Sequence, residues 1–204
     1  MAEARSSRSG TDTKVAQTGQ TAGERARPSQ LAYKSARTVT LLLVVVASGV
    51  AADLLTKHYA FAALIDRPTR SLEVIRGWLS FTLSTNRGIV FGIEVPAFLI
   101  LTATLAAVAV VVLLFATSPS RCWALHAGLG MVLAGSIGNA YDRLFSRVWP
   151  AGEAAPRLRQ VRDFIDVDLQ FMRWPVFNVA DVLLVVGVGV ILIYMIRDGR
   201  RRKG

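Results

Sequence analysis

Cysteine is almost missing from this 204-residue chain. Cys122 stands alone, so no disulfide can form within it. Histidine is nearly as scarce: His58 and His126 are isolated and have no partner at ligand spacing. Asp163, Asp166 and Asp168 lie close together, but no further ligand set or glycine-bearing loop accompanies them. No metal and no cofactor is therefore expected. No internal repeat of solenoid length is visible. Large apolar residues are sparse before residue 37, where Ser, Thr, Gly, Ala and charged residues predominate, and such a stretch cannot bury a core. It reads as a disordered basic tail over 1–36, not as a secretory signal, since no convincing small-residue cleavage site follows the next apolar run. Charge is wholly absent from Pro96 to Ser118.

What is present is apolar. Hydrophobic residues make up 52% of the chain, with a mean hydropathy of +0.42. The pattern predicts four spans of membrane length, about Val39–Leu64, Pro96–Thr117, Trp123–Phe145 and Val176–Ile196. The net charge of +10 is concentrated in both termini. Arg5, Arg8, Lys14, Arg25, Arg27, Lys34 and Arg37 precede the first span, and Arg197, Arg200, Arg201, Arg202 and Lys203 follow the last. Basic residues flanking spans set topology, so nucleic-acid binding is not expected and both termini are placed on the cytoplasmic side. The expected fold is a membrane all-α protein. It has four transmembrane helices, a small extracytoplasmic β-rich subdomain and a second outer loop. A four-span unit covers 37–197, with outer loops at about 66–95 and 146–175, and a basic tail covers 198–204. Ser71–Ile75 and Trp78–Leu83, parted by Arg76-Gly77, read as a hairpin. Val161 to Asp168 reads as a short amphipathic helix or strand at the interface. Trp78, Trp149 and Trp174 fall where interfacial aromatics are expected.

Five polar residues sit where a lipid-embedded helix should not tolerate them: Asp53, Asn139, Asp142, Asn178 and Asp181. Ionisable groups in a bilayer are costly and mark a site. Asn139/Asp142 and Asn178/Asp181 repeat one device, an amide and a carboxylate at i and i+3 on one helix face. The third and fourth spans run in opposite directions, so these pairs meet at their outer ends. Asp53 lies roughly 16 Å inside the first span's outer end at 1.5 Å per residue. Asp163 arrives from the second outer loop. Two carboxyls close together in a poorly solvated place cannot both ionise, so one pKa rises. The ionised partner then takes a proton from water and the other donates one, which is aspartic-protease chemistry. Spacing alone does not choose between Asp142 and Asp163 as the partner of Asp181.

These residues resemble the boxes of bacterial lipoprotein signal peptidase (signal peptidase II) from about Val39 to Ile196. Asp53-Leu-Leu-Thr56-Lys57 resembles its D-x-x-[ST]-K box. Asn86-Arg87-Gly88 with Phe91-Gly92 resembles N-[TS]-G-A-A-F. Gly138-Asn139-Ala-Tyr-Asp142-Arg143 resembles G-N-x-x-D-R, Val161–Ile165 resembles V-V-D-F-[IL], and Phe177–Asp181 matches F-N-x-A-D. The resemblance implies a bacterial inner-membrane aspartic endopeptidase with its active site on the outer side. Its substrates would be prolipoproteins, cut before a diacylglyceryl-cysteine. Its partners would be those substrates and membrane lipid, and it would act as a monomer. It implies Asp163 and Asp181 as the catalytic pair, with Asp53, Lys57, Asn86, Asn139, Asp142, Arg143 and Asn178 supporting the site or contacting substrate.

The chain departs from the family pattern in two places. Thr85-Asn86-Arg87-Gly88-Ile89-Val90 lacks the usual arginine before the asparagine and replaces two small residues with branched ones. Arg162 stands beside Asp163 where an apolar residue is common, and would lower that carboxylate's pKa if the two were close. Blander roles are open as well. Asp53 and Lys57 can form a self-neutralising i, i+4 pair, or Asp53 can orient the site while Lys57 snorkels outward. Asp142-Arg143 can be an interfacial anchor, Asp166 and Asp168 read as solvated loop charges, and the glycines of the third span read as close-packing positions. A proton-coupled transporter, or a relative that binds prolipoproteins without cutting them, are the rival functions.

Overall fold

The computed structural model describes residues 30–86, 96–150, 152–172 and 174–201. Four helices dominate: α1 (Ala36–Leu64), α2 (Ala97–Thr117), α3 (Trp123–Phe145) and α4 (Val179–Arg201). Among the described residues five strands accompany them: β1 (Ser71–Ile75), β2 (Leu79–Asn86), β3 (Arg147–Val148), β4 (Arg157–Leu158) and β5 (Val161–Val167). Among the described residues, α1, α4 and Phe98–Thr117 of α2 are long and apolar enough to cross a membrane. The four helices fall where the four spans are expected, but α3 does not meet that measure. The reason lies in its composition: it is rich in Gly and carries His126, Ser136, Asn139, Asp142 and Arg143.

That composition suits the interior. α3 packs against α1, α2 and α4 and holds more buried residues than any other helix, while its neighbours keep broad apolar faces exposed. Leu129, Val132 and Leu133 of α3 join Val111 and Phe115 of α2 in one core, lined by Val39, Leu42 and Val46 of α1 and by Leu184 and Ile191 of α4. Small residues bring the backbones together. A Cβ on Gly128 would meet Gly187 O at 3.0 Å, one on Gly130 would meet Val45 Cγ1 at 2.9 Å, and one on Gly135 would collide with Ala180 O. The third-span glycines are thus packing positions, as expected.

Gln30 to Ser35, expected in the tail, pack against the bundle. Ala32 is fully buried and its N–H donates to Ser118 O at 2.9 Å, while Ser120 N–H donates to Gln30 O at 2.8 Å. The link between α2 and α3 offers one backbone acceptor and one donor that an isolated tail lacks, and α1 begins at Ala36. The remainder of the tail lies outside the described residues.

At the opposite end of the bundle, β1 and β2 form the expected hairpin, turning at Gly77 with φ +72°. The second expected loop does not stand apart. β5 pairs antiparallel with β2, giving one sheet of order β1-β2-β5, and β3 and β4 pair separately. Val161–Val167 becomes a strand, because Val161, Asp163, Phe164 and Asp166 are buried on its two faces and the open edge of β2 supplies its hydrogen bonds. Phe61 and Leu64, near the end of α1, pack with Leu83, Val148 and Phe164, each such side chain contributing about 2 kcal/mol. The last turns of α1 therefore lie beneath the sheet, which brings Asp53 level with the start of α4.

Candidate active site

The site begins with the N-terminus of α4. A helix start leaves backbone N–H groups without partners. Asn178 Oδ1 accepts from Asp181 N at 3.0 Å, and Asp181 Oδ2 accepts from Asn178 N at 3.2 Å. This is a capping box built from asparagine and aspartate, and it explains why α4 starts at Val179 and not at Val176. A third donor, Ala180 N, is satisfied at 2.9 Å by Asp53 Oδ1 from α1. A side chain at position 138 would run into the Asp53 carboxylate, so Gly138 leaves the passage for it.

Lys57 does not snorkel. It is fully buried, and its Nζ lies 2.7 Å from Asp53 Oδ2, 3.1 Å from Asp142 Oδ2 and 3.1 Å from Asn139 Oδ1. Asp53 and Asp142 leave the ammonium no reason to seek water, so the intrahelical pair expected from the i, i+4 spacing extends into a buried triad. Asp142 is also fully buried and accepts from Arg162 N at 3.0 Å and Nε at 2.9 Å, with Nη2 at 2.7 Å. It is a crosslink between α3 and β5. Arg162, flagged for its closeness to Asp163 in sequence, turns to Asp142 because neighbouring strand residues face opposite sides.

Asp163 and Asp181 are arranged differently. Neither has an ion pair among the described residues. Asp163 is buried, 3% exposed, and Asn178 Nδ2 donates to its Oδ1 at 2.6 Å. Asp181 is half-buried, and Asn139 Nδ2 donates to its Oδ1 at 2.8 Å. Asn178 Nδ2 also donates to Asn139 Oδ1 at 3.2 Å, so two amides join the two carboxylates. Burial, and next the charge of Asp181, push the Asp163 carboxyl up to about 7, against the opposing hydrogen bond from Asn178. Arg162 thus does not bring the lowering expected from sequence adjacency.

Arg143 Nη1 donates to Asn139 O at 3.3 Å and lies within electrostatic reach of Asp163, Asp181 and Asp142. Asn86 ends β2, paired with Val161, two residues from Asp163. Arg87 to Val95, including Gly88, Phe91 and Gly92, lie outside the described residues. Asp168 is exposed as expected, but Asp166 is not a solvated charge: it is 4% exposed and accepts from Thr82 Oγ1 at 3.2 Å across the sheet. Sequence reasoning missed Arg157 and Glu153, which hold Thr85. No spacing signals that contact, because the residues lie 72 positions apart.

The structure thus defines a helical protein with membrane-length apolar helices and, where a small sheet closes one end, a cluster of four carboxylates, three of them buried. Among known proteins, the family model described as Signal peptidase (SPase) II matches residues 45–197. The lipoprotein signal peptidase of Chlorobium luteolum is 33% identical over 154 residues, covering 71% of this chain and 84% of its own. That of Mycobacterium leprae is 35% identical over 163 residues, covering 78% and 73%. A solved bacterial membrane enzyme, determined by the in meso method at 2.3 Å, superposes with a TM-score of 0.67 at 25% identity, covering 79% of this chain and 90% of that one. The chain belongs to the signal peptidase II family and is a membrane aspartic peptidase.

Proposed function

We propose that this peptidase cleaves prolipoproteins immediately before a diacylglyceryl-modified cysteine, with Asp163 and Asp181 sharing one proton. The observation that carries this reading is the division among the carboxylates. Asp53 and Asp142 are ion-paired, whereas Asp163 and Asp181 have no ion pair among the described residues and are joined through the amides of Asn178 and Asn139. A carboxylate fixed by two cations is a poor proton carrier, so Asp142 serves as a crosslink. Ionised Asp181 removes a proton from water as its oxygen attacks the scissile carbonyl carbon, and protonated Asp163 gives its proton to the carbonyl oxygen. Collapse of the tetrahedral adduct re-forms C=O with a hydroxyl proton returned to Asp163, breaks the C–N bond, and passes the proton held on Asp181 to the departing amine. No covalent intermediate is needed. Asn139, Asn178 and Asp53 hold the geometry, and Arg143 and Asn86 face the substrate.

In this reading α3 spans the membrane with the other three helices over 37–197. Its 23 residues supply about 35 Å of helix. Its poor apolarity is tolerated because its neighbours, not lipid, cover it. Both termini lie in the cytoplasm, the sheet lies on the outer face of a bacterial inner membrane, and the acyl chains of the substrate lie in the outer leaflet. The protein acts as a monomer on prolipoprotein and lipid. A transporter would need polar groups along the whole depth, whereas every buried charge among the described residues lies at the sheet end.

The test is cleavage by purified protein of a diacylglyceryl-modified prolipoprotein beside its unmodified precursor. Cleavage of the modified form alone supports the reading, and a folded protein that cuts neither favours a binding-only relative.

A further inference from the structure

Beside the site, three distant stretches of chain converge on Glu153. Arg70 Nη1 donates to Glu153 Oε1 at 3.0 Å from the segment before β1. Arg157 grips the same carboxylate as a fork, Nε to Oε2 at 3.0 Å and Nη2 to Oε1 at 2.5 Å. The remaining arm of that guanidinium, Nη1, donates to Thr85 Oγ1 at 3.2 Å. Glu153 is itself held: its N–H donates to Pro150 O at 3.1 Å and its carbonyl accepts Trp149 Nε1 at 2.9 Å. Arg70 is anchored likewise, its carbonyl accepting Leu83 N from β2 at 2.8 Å. The Arg157 hydrogen bond, and after it that of Arg70, keep the Glu153 carboxyl below its ordinary range, so Glu153 stays charged at working pH.

Position makes this cluster more than a surface tie. Thr85 lies between Ser84, paired with Asp163, and Asn86, paired with Val161. The hydroxyl receives its guanidinium from the second loop. A bidentate fork on a carboxylate fixes the plane of the guanidinium, so its free N–H points one way.

We infer that Arg157, oriented by Glu153 and Arg70, is a positioning residue that fixes the end of β2 and thereby Asn86 against the bound substrate. It acts through Thr85 and does not touch the reacting atoms. The inference deepens the function proposed above and rests on it.

The test uses the full chain in detergent with the modified prolipoprotein. R157A and E153Q are each expected to raise KM roughly fivefold, the scale of losing one charge-assisted hydrogen bond at a half-exposed site. kcat should stay within about twofold, because the carboxylates are untouched. The double variant should be no worse than either single one, since the two act as a unit. R157A/T85R, which puts a guanidinium on the strand itself, should recover KM. An unchanged KM in R157A, additive losses, or a T85R change that restores nothing would each overturn the inference. Amide hydrogen exchange reads the same device without turnover. Protection at Thr85 and Asn86 should fall in R157A while Leu79 to Phe81 keep theirs, whereas uniform loss across β2 would mean a general structural role. If the wild-type chain cuts nothing, the proposed function fails, and the exchange result still decides whether Arg157 holds the strand.

Discussion

Asp53 accepts the backbone N–H of Ala180 at 2.9 Å, joining the middle of the first helix to the start of the last across 127 positions. The same carboxylate holds Lys57 through its other oxygen at 2.7 Å. One side chain therefore caps a helix and neutralises a buried cation. Removing it leaves both groups without that partner in a place water does not reach. Asp53→Ala is expected to cost about 3 kcal/mol of stability, the scale for breaking a buried ion pair. Thermal unfolding in detergent checks this, and a midpoint unchanged within a degree would show that Asp142 alone satisfies Lys57.

The Asp142, Asp163 and Asp181 carboxylates should respond differently to an isosteric amide. Asp163→Asn and Asp181→Asn are expected to reduce cleavage by about a hundredfold to ten-thousandfold while the protein stays folded. Asp142→Asn should instead lower the unfolding midpoint most, because Lys57 and Arg162 both lose a charge partner. Parallel activity and melting measurements on the three variants separate the roles. Full activity in Asp163→Asn, with loss only in Asp142→Asn, would exchange the two assignments.

The Asp163 carboxyl, pushed up to about 7 from an ordinary 3.8, makes two pH effects. In the folded chain it keeps a proton that the unfolded chain releases near pH 4. Its contribution to stability is therefore complete below about pH 4 and is lost as pH rises through about 7. Cleavage should decline over the same upper range, since the donor proton is gone above it. A pH series of unfolding midpoints and of kcat/KM tests both. Asp163→Asn should flatten the stability slope between about pH 4 and 7, and an unaltered slope would place the titrating group elsewhere.

Gly138 borders the Asp53 carboxylate so closely that a methyl group there would collide with Oδ2. Gly138→Ala is expected to push that carboxylate off Ala180 N and to cost about 1 to 3 kcal/mol despite the better helix propensity of alanine. Gly189, where a Cβ would meet nothing within 4 Å, is the control, and its alanine variant should be neutral or slightly stabilising. Equal effects at the two positions would mean that the passage beside Gly138 is not needed.

Much of this arrangement was legible in the chain itself. The apolar runs set helix number and extent, because membrane-length hydrophobicity is a local property. The ends of α3 fell at the expected residues, and α4 began three residues late because Asn178 serves as its cap. The i, i+3 pairs of amide and carboxylate marked the site, since helical periodicity places both on one face. Asp53, Asn139, Asp142, Asn178, Asp181 and Asp163 were all named from position alone, and the structure brings them together.

What the linear pattern left open was partnership. Val161 to Val167 could have been helix or strand, and the free edge of β2, about 80 residues earlier, made it a strand. Lys57 turned inward because Asp142 arrived from another helix, Asp166 was buried by Thr82 across the sheet, and α3 became the central helix because its glycines admit neighbouring backbones. Which carboxylates carry cations and which do not is decided the same way. An ion pair depends on distance in space, and spacing along a chain bounds that distance only within a single element.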